Sequence, residues 1–127
     1  YNPKIKIRGI NMEALIIVAH GSKMKSSNDE IVNIVEKIKS KSSNISVFLG
    51  FLELTEPLFS TVLKNTIEND FKKIKIFPYF LASGKHVTQD IPEELENFRK
   101  KYPQVEFVLL PHIGQCVGIE NMIISNL

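Results

Sequence analysis

Two histidines, each placed after an apolar segment, are the residues of this sequence best suited to chemistry. His20 directly follows the apolar residues 14–19, and His86 ends a loop that follows the apolar segment near residues 74–77. Neutral imidazole is a good ligand for divalent cobalt, nickel, iron and zinc. Glu53 follows a third apolar segment and offers either an oxygen ligand or a base. Such sparse ligation would suit a metal in transit, because a closed structural site takes four protein ligands.

Four apolar segments alternate with amphipathic ones, and this alternation predicts the elements that position the candidate ligands. Strands are expected at residues 15–18, 45–52, 73–77 and 106–110. The first is continuously apolar, as in a strand that is buried on both faces. Repeated strand–helix alternation predicts parallel pairing with right-handed crossovers. The predicted fold class is therefore α/β, a single three-layer domain with a central four-stranded parallel sheet.

Local start signals mark the helices between these strands. Residues 27–30 read Ser-Asn-Asp-Glu, a capping-box pattern that predicts a helix from there to about residue 41. Pro57 indicates the first turn of a second helix, where its missing N–H costs little. Asp90 is the predicted cap of a third helix, after a loop at residues 79–89. Apolar spacing predicts a short final helix between residues 119 and 127.

The carboxyl ends of parallel strands lie at one edge of a sheet, and ligands of open α/β sheets bind in the crevice there. His20, Glu53 and His86 each follow a predicted strand, so we expect them to approach one another at this edge. His112 follows the fourth strand and is a weaker candidate for the same crevice.

Each candidate also has a purely structural interpretation when it is taken singly. His20 could cap a turn, and the Gly-Ser that follows it could offer backbone N–H groups to an anion. His86 could be an ordinary exposed loop residue. Glu53 could lie near a helix amino terminus, where the helix dipole favours a carboxylate. The pairing of the two histidines at one edge favours the metal-binding interpretation.

Bulk properties exclude several classes of protein. The 127 residues suffice for one domain, and a formal charge of +2 is too mild to indicate nucleic-acid binding. A single cysteine, Cys116, excludes an intrachain disulfide and any multi-thiolate metal site. The sequence shows neither a membrane-spanning stretch nor a signal peptide, so a cytoplasmic location without membrane partners is expected. Residues 1–11 are interpreted as a leader or cloning remnant, and residues 12–127 as the domain.

Three blocks of the sequence resemble the small sirohydrochlorin cobaltochelatases. These are class II tetrapyrrole chelatases, related to the sirohydrochlorin ferrochelatases. The blocks are Ala-His-Gly-Ser at 19–22, Gly-Phe-Leu-Glu-Leu-Thr-Glu-Pro at 50–57, and the segment from Pro-Tyr-Phe-Leu through Gly-Lys-His-Val to Asp-Ile-Pro at 78–92. The resemblance implies half of a two-lobed chelatase fold, pairing as a homodimer. It also implies ATP-independent insertion of a divalent metal, cobalt first and iron next, into sirohydrochlorin with release of two protons.

The resemblance also implies roles for individual residues. His20 and His86 match the two family histidines that hold the metal and accept protons, and Glu53 matches the acidic residue of the second block. The family often has arginine where this chain has Lys23, which keeps the charge but loses the planar fork. The macrocycle carries many carboxylates and a flat ring. Residues expected to contact it are Ser22, Lys23, Tyr79, Phe80, Ser83, Gly84 and Lys85.

Other function classes stay open at this point. A carrier of metal or tetrapyrrole would use the same histidines but would bind without turnover. A flavodoxin-like or receiver-like module would need an acidic cluster or a phosphate-binding loop after the first strand, where this chain has His-Gly-Ser. A hydrolase that uses Ser22 with His86 would lack the Gly-x-Ser-x-Gly elbow. The ligand types do not choose among cobalt, iron and nickel, and no organic cofactor is expected.

Overall fold

The computed structural model describes residues 13–127, so the interpretation of residues 1–11 as a leader or remnant lies outside the described residues. Four strands form one parallel sheet, in the order β2-β1-β3-β4. The strands are β1 (Glu13–Ala19), β2 (Ser46–Phe51), β3 (Lys73–Pro78) and β4 (Glu106–Leu109). The predicted α/β fold with a four-stranded parallel sheet is confirmed.

Four α-helices connect and flank these strands: α1 (Lys25–Lys41), α2 (Phe59–Glu68), α3 (Ile91–Lys101) and α4 (Ile119–Ile124). A π-helical turn (His86–Asp90) runs directly into α3, and a 3-10 turn (Ile113–Gln115) follows β4. No helix among the described residues is both long enough and apolar enough to cross a membrane.

Helices cover both faces of the sheet, which gives the predicted three layers. Alternate residues of β1 point to opposite faces. On one face, Ile16 packs in a cluster with Leu63 of α2 and Leu95 of α3. On the other face, Ile17 packs with Val35 of α1. Burial on both faces explains why β1 is continuously apolar.

The register of the sheet aligns the ends of three strands. Ala19 at the end of β1 pairs with Phe51 at the end of β2, and Val18 pairs with Pro78 at the end of β3. The loops that follow these strands therefore start from the same edge of the sheet. This alignment is what brings distant parts of the chain into one crevice.

The helix α1 begins earlier than its capping-box pattern predicted. Its first residue is Lys25, and the side chain of the preceding residue, Met24, makes no capping hydrogen bond. The Asn28 side chain instead accepts a hydrogen bond from the Ser22 N–H at 3.0 Å and donates one to the Ser22 carbonyl at 2.8 Å. The predicted cap was therefore wrong, because a polar side chain in the first turn is used to hold the preceding loop.

Two other start signals were also misplaced. Helix α2 begins at Phe59, beyond Pro57, whose carbonyl accepts a hydrogen bond from the Phe51 N–H at 2.8 Å. Asp90 has helical backbone angles and no capping hydrogen bond, since helical structure already begins before it. Its carboxylate is directed to other partners, which are described below.

Candidate metal-binding site

The loops after β1, β2 and β3 bring His20, Glu53 and His86 together. The ligand atoms that these three side chains offer all lie within 4.8 Å of one another. Backbone hydrogen bonds extend the β1–β2 pairing past the strand ends, from the Leu52 N–H to the Ala19 carbonyl at 2.9 Å and from the Glu53 N–H to the His20 carbonyl at 3.1 Å. The backbone itself therefore places Glu53 beside His20.

Gly21 allows this close approach of the two loops. Its φ of +96° lies in the left-handed region that favours glycine. A Cβ atom at this position would lie 2.0 Å from the Glu53 carbonyl oxygen. The segment Ala-His-Gly-Ser thus requires glycine at its third position, because the backbone angle disfavours a side chain and because Glu53 leaves no room for one.

The His20 ring lies between two acceptors. Its Nε2 atom is 2.7 Å from Glu53 Oε2, and its Nδ1 atom is 3.0 Å from the Gly21 carbonyl oxygen. Both oxygens accept hydrogen bonds, so a neutral ring with a single N–H can donate to only one of them. Both side chains are about half exposed, so an ion can reach them from solvent.

His86 completes the cluster from the π-helical turn. Its ring centroid lies 4.9 Å from that of His20, and the rings are tilted by 46°. The Phe80 ring lies on the same side, with its centroid 6.0 Å from that of His86. Two imidazoles and one carboxylate are a donor set that suits divalent transition metals and leaves coordination positions open.

Asp90, which the sequence predicted to be a helix cap, instead contacts the candidate ligand His86. Its Oδ2 atom lies 2.8 Å from His86 Nδ1, and its Oδ1 atom accepts a hydrogen bond from Lys85 Nζ at 3.0 Å. The hydrogen bond from Lys85 is the main reason that the pKa of Asp90 lies below its ordinary value, and the bond from His86 adds to this. The spacing of His86 and Asp90 by four residues in a helical segment was the signal that could have found it.

The two aromatic residues expected to face the macrocycle lie on different faces of the sheet. Phe80 packs against the α2–α3 cluster and reaches His86. Tyr79 packs in the α1 cluster, away from the histidine pair. Burial, followed by the negative charge of Glu30 in α1, raises the pKa of the Tyr79 hydroxyl. The structure therefore does not bring Tyr79 to the cluster, because alternation continues past the end of β3.

The remaining residues predicted to contact the substrate differ in exposure and in the partners they already have. Lys85 already has a carboxylate partner in Asp90, while Lys23 is exposed and has no ion pair within residues 13–127. Ser83 and Gly84 are exposed in the loop before the π-helical turn. The Ser22 hydroxyl accepts a hydrogen bond from the Met24 N–H at 3.0 Å.

His112 lies outside the ligand cluster. It is buried, at 5% exposure, in the loop after β4. In the strand order β2-β1-β3-β4, β4 is separated from β1 by β3. Neighbouring strands are spaced by about 4.8 Å, so this loop starts roughly 10 Å from the loop that carries His20.

Comparison with known proteins gives consistent results. The sequence model of the CbiX family matches residues 14–127. A sirohydrochlorin cobaltochelatase of Methanocaldococcus jannaschii is 40% identical over 84 residues, which are 66% of this chain and 59% of that protein. A sirohydrochlorin ferrochelatase of Priestia megaterium is 32% identical over 114 residues, which are 90% of this chain and 41% of that protein.

A solved structure shares the fold. The sirohydrochlorin chelatase SirB from Bacillus subtilis subspecies spizizenii, in complex with cobalt, has a TM-score of 0.73 at 29% identity, over 80% of this chain and 43% of that chain. The chain spans about half the length of the curated relatives it matches.

Proposed function

The chain belongs to the CbiX family, as its resemblance to the small chelatases predicted, and we propose that it inserts a divalent metal ion into sirohydrochlorin. The observation that carries this proposal is the convergence of His20, Glu53 and His86, with ligand atoms within 4.8 Å of one another at the open edge of the sheet. The names of the two relatives, a cobaltochelatase and a ferrochelatase, support the substrate class. We propose cobalt as the first metal and iron as the next.

The reaction exchanges one divalent ion for two protons. The ion loses water, the two pyrrole N–H groups of the macrocycle lose their protons, and four ring nitrogens bind the metal. In our proposal His20 and His86 hold the incoming ion and release it to the ring. The imidazoles then accept protons as their metal bonds break. Glu53, at 2.7 Å from His20 Nε2, balances charge and relays a proton toward solvent. No step requires ATP or an organic cofactor.

The proposal is tested by following the visible spectrum of sirohydrochlorin with cobalt, iron and nickel. Each metal is mixed with the macrocycle in the presence and absence of purified protein at a small fraction of the macrocycle concentration. We expect many turnovers per protein molecule, fastest with cobalt. A spectral change that stops at one equivalent of protein would indicate the alternative, a carrier of metal or tetrapyrrole. No spectral change caused by the protein, either catalytic or stoichiometric, with any of the metals would contradict both.

Lys23 is the cation we propose for holding a carboxylate of the macrocycle. Unlike Lys25 and Lys85, which pair with Asp29 and Asp90, it has no ion pair within the described part of the chain. We propose that Ser22, Phe80, Ser83 and Gly84 line the same face.

Replacing Lys23 with alanine is expected to raise the KM for sirohydrochlorin about fivefold, the size of effect that one exposed charge pair gives. The kcat should stay near the parental value, because the side chain does not touch the metal ligands. Initial rates at low and high salt measure this, since screening should shrink the difference between the two proteins. Lys41→Ala, at the far end of α1, is the control. An unchanged KM at low salt would contradict the assignment.

We further propose that the protein acts as a homodimer in the cytoplasm. The single cysteine is in keeping with a reducing compartment. Helix α4 leaves Met122, Ile123 and Ile124 more than half exposed, and clustered exposed apolar side chains commonly mark an interface.

We expect sedimentation equilibrium to give twice the chain mass of 14.5 kDa. The variant Ile123→Glu should shift the protein to the monomer, because it places a charge within the proposed interface. Glu120→Gln, on the same helix, is the matched control. A parental protein of single-chain mass at all concentrations would contradict the dimer.

A further inference from the structure

We infer that Asp90 is a positioning residue for metal transfer, which holds the His86 imidazole by Nδ1 and so leaves Nε2 as the nitrogen that binds the ion. The role in metal transfer rests on the proposed function. The geometry adds to His86 two residues, Asp90 and Lys85, to which the proposed function gives no role. The relevant contacts are a hydrogen bond of 2.8 Å between Asp90 Oδ2 and His86 Nδ1, and a second of 3.0 Å from Lys85 Nζ to Asp90 Oδ1.

The chemistry of the contact fixes the tautomer of His86. An ionised carboxylate only accepts hydrogen bonds, so the nitrogen that faces it must carry a proton. A neutral imidazole has one N–H group, and protonation at Nδ1 leaves the lone pair on Nε2. Carboxylates that orient metal-binding histidines in this way also raise the basicity of the ligand.

The position of Asp90 makes it suited to hold a neighbour in place. The next residue, Ile91, is fully buried, and its N–H donates to the His86 carbonyl across the π-helical turn. Leu95, one turn later in α3, is also fully buried in the same cluster. Asp90 is therefore anchored through its backbone to a buried segment, although its side chain, at 32% exposure, is nearly as accessible as that of His86, at 37%. The carboxylate ties this ring to a rigid element, which functional geometry requires.

Lys85 has a supporting part in this arrangement. Its ammonium group contacts Oδ1 of Asp90, and Oδ2 stays directed at His86. The carboxylate is thus held at both oxygens, one by each of two consecutive residues. An exposed pair of this kind contributes little to stability. Its effect is expected in the orientation and protonation pattern of the His86 ring.

The test compares Asp90→Ala and Asp90→Asn with Thr88→Val. Thr88 lies in the same turn and donates its hydroxyl to the Gly84 carbonyl at 2.8 Å, so its replacement removes a side-chain hydrogen bond without touching His86. Long-range proton–nitrogen NMR spectra of the metal-free proteins report which nitrogen of His86 is protonated. A titration with cobalt alone reports the affinity of the cluster. Circular dichroism establishes that each variant is folded.

In the parental protein we expect His86 protonated at Nδ1. In Asp90→Ala the Nε2-protonated form, which free histidine prefers, should become the major one, and the dissociation constant for cobalt should rise about 10- to 100-fold. Asp90→Asn keeps a carbonyl acceptor and should recover part of the parental affinity. Thr88→Val should match the parental protein in both measurements. In turnover, Asp90→Ala should lower kcat and leave the KM for sirohydrochlorin unchanged.

An Asp90→Ala protein with the parental tautomer of His86 and the parental cobalt affinity would overturn the inference. An equal loss in Thr88→Val would also overturn it, because the effect would then belong to the turn as a whole. The NMR measurement needs neither metal nor macrocycle. A tautomer change in a protein that shows no turnover would therefore support the role of Asp90 while contradicting the chelatase function.

Discussion

Replacing either His20 or His86 with alanine is expected to lower the rate of cobalt insertion roughly 10²- to 10⁴-fold, the range for loss of a positioned proton acceptor. Each substitution also removes one of the two imidazoles whose rings lie 4.9 Å apart. Both side chains are partly exposed, so their truncation should leave the fold intact. Turnover of sirohydrochlorin under saturating cobalt, followed in the visible spectrum, measures the loss.

The third histidine of the chain supplies the control for this prediction. His112 is buried outside the ligand cluster, so His112→Asn should lower stability but keep the parental rate per folded molecule. An alanine variant of His20 or His86 that inserts cobalt at the parental rate would contradict the proposed site. A loss of the same size in His112→Asn would show that the assay responds to any histidine replacement.

Gly21→Ala is expected to damage the site without removing any ligand. A methyl group at this position would lie 2.0 Å from the Glu53 carbonyl oxygen, and the backbone angle of +96° disfavours any side chain. Strain and overpacking together should lower the free energy of unfolding by about 2–4 kcal/mol. Pushing the two loops apart should also slow insertion roughly 100-fold, since displacements of about 1 Å have effects of that size. Chemical denaturation and turnover measure the two effects.

A substitution at Gly118 distinguishes the effect of the backbone conformation from the effect of the close contact with Glu53. The φ of +93° at Gly118 nearly equals that of Gly21, but no other atom of residues 13–127, apart from its chain neighbours, lies within 4 Å of a Cβ built there. Gly118→Ala should therefore lower stability by about 1–2 kcal/mol, the cost of the left-handed conformation, and leave turnover unchanged. If Gly21→Ala behaved like Gly118→Ala in both measurements, the close approach of the two loops would not matter for function.

The strand pattern of the sequence was sufficient to predict where the candidate ligands would meet. Continuous apolar segments and their alternation with helical ones specify parallel strands, and parallel strands end at a common edge. His20, Glu53 and His86 could be placed together on that basis alone. The sequence did not specify the order of strands across the sheet, so the separation of His112 from the cluster was not predictable.

Local helix signals were less informative, because tertiary contacts compete for the same polar groups. Asn28 and Asp90 both stand in sequence patterns typical of helix starts, and both use their side chains to hold residues of the candidate site instead. The position of Tyr79 could have been predicted, since it continues the period of two from Phe77 to the same face. Phe80, the next residue, then falls on the face of His86.

The strand order also has a consequence for how the chain acquires its metal-binding ability. The three ligands follow three different strands, and β1 lies between the other two. Parallel neighbours can pair only after the long connection between them has been closed, which makes such contacts slow to form. A partly folded chain with only one of the two pairings would hold at most two of the ligands. The complete set therefore requires both pairings of β1, and capture of an ion by all three ligands is restricted to molecules in which these three strands are already assembled.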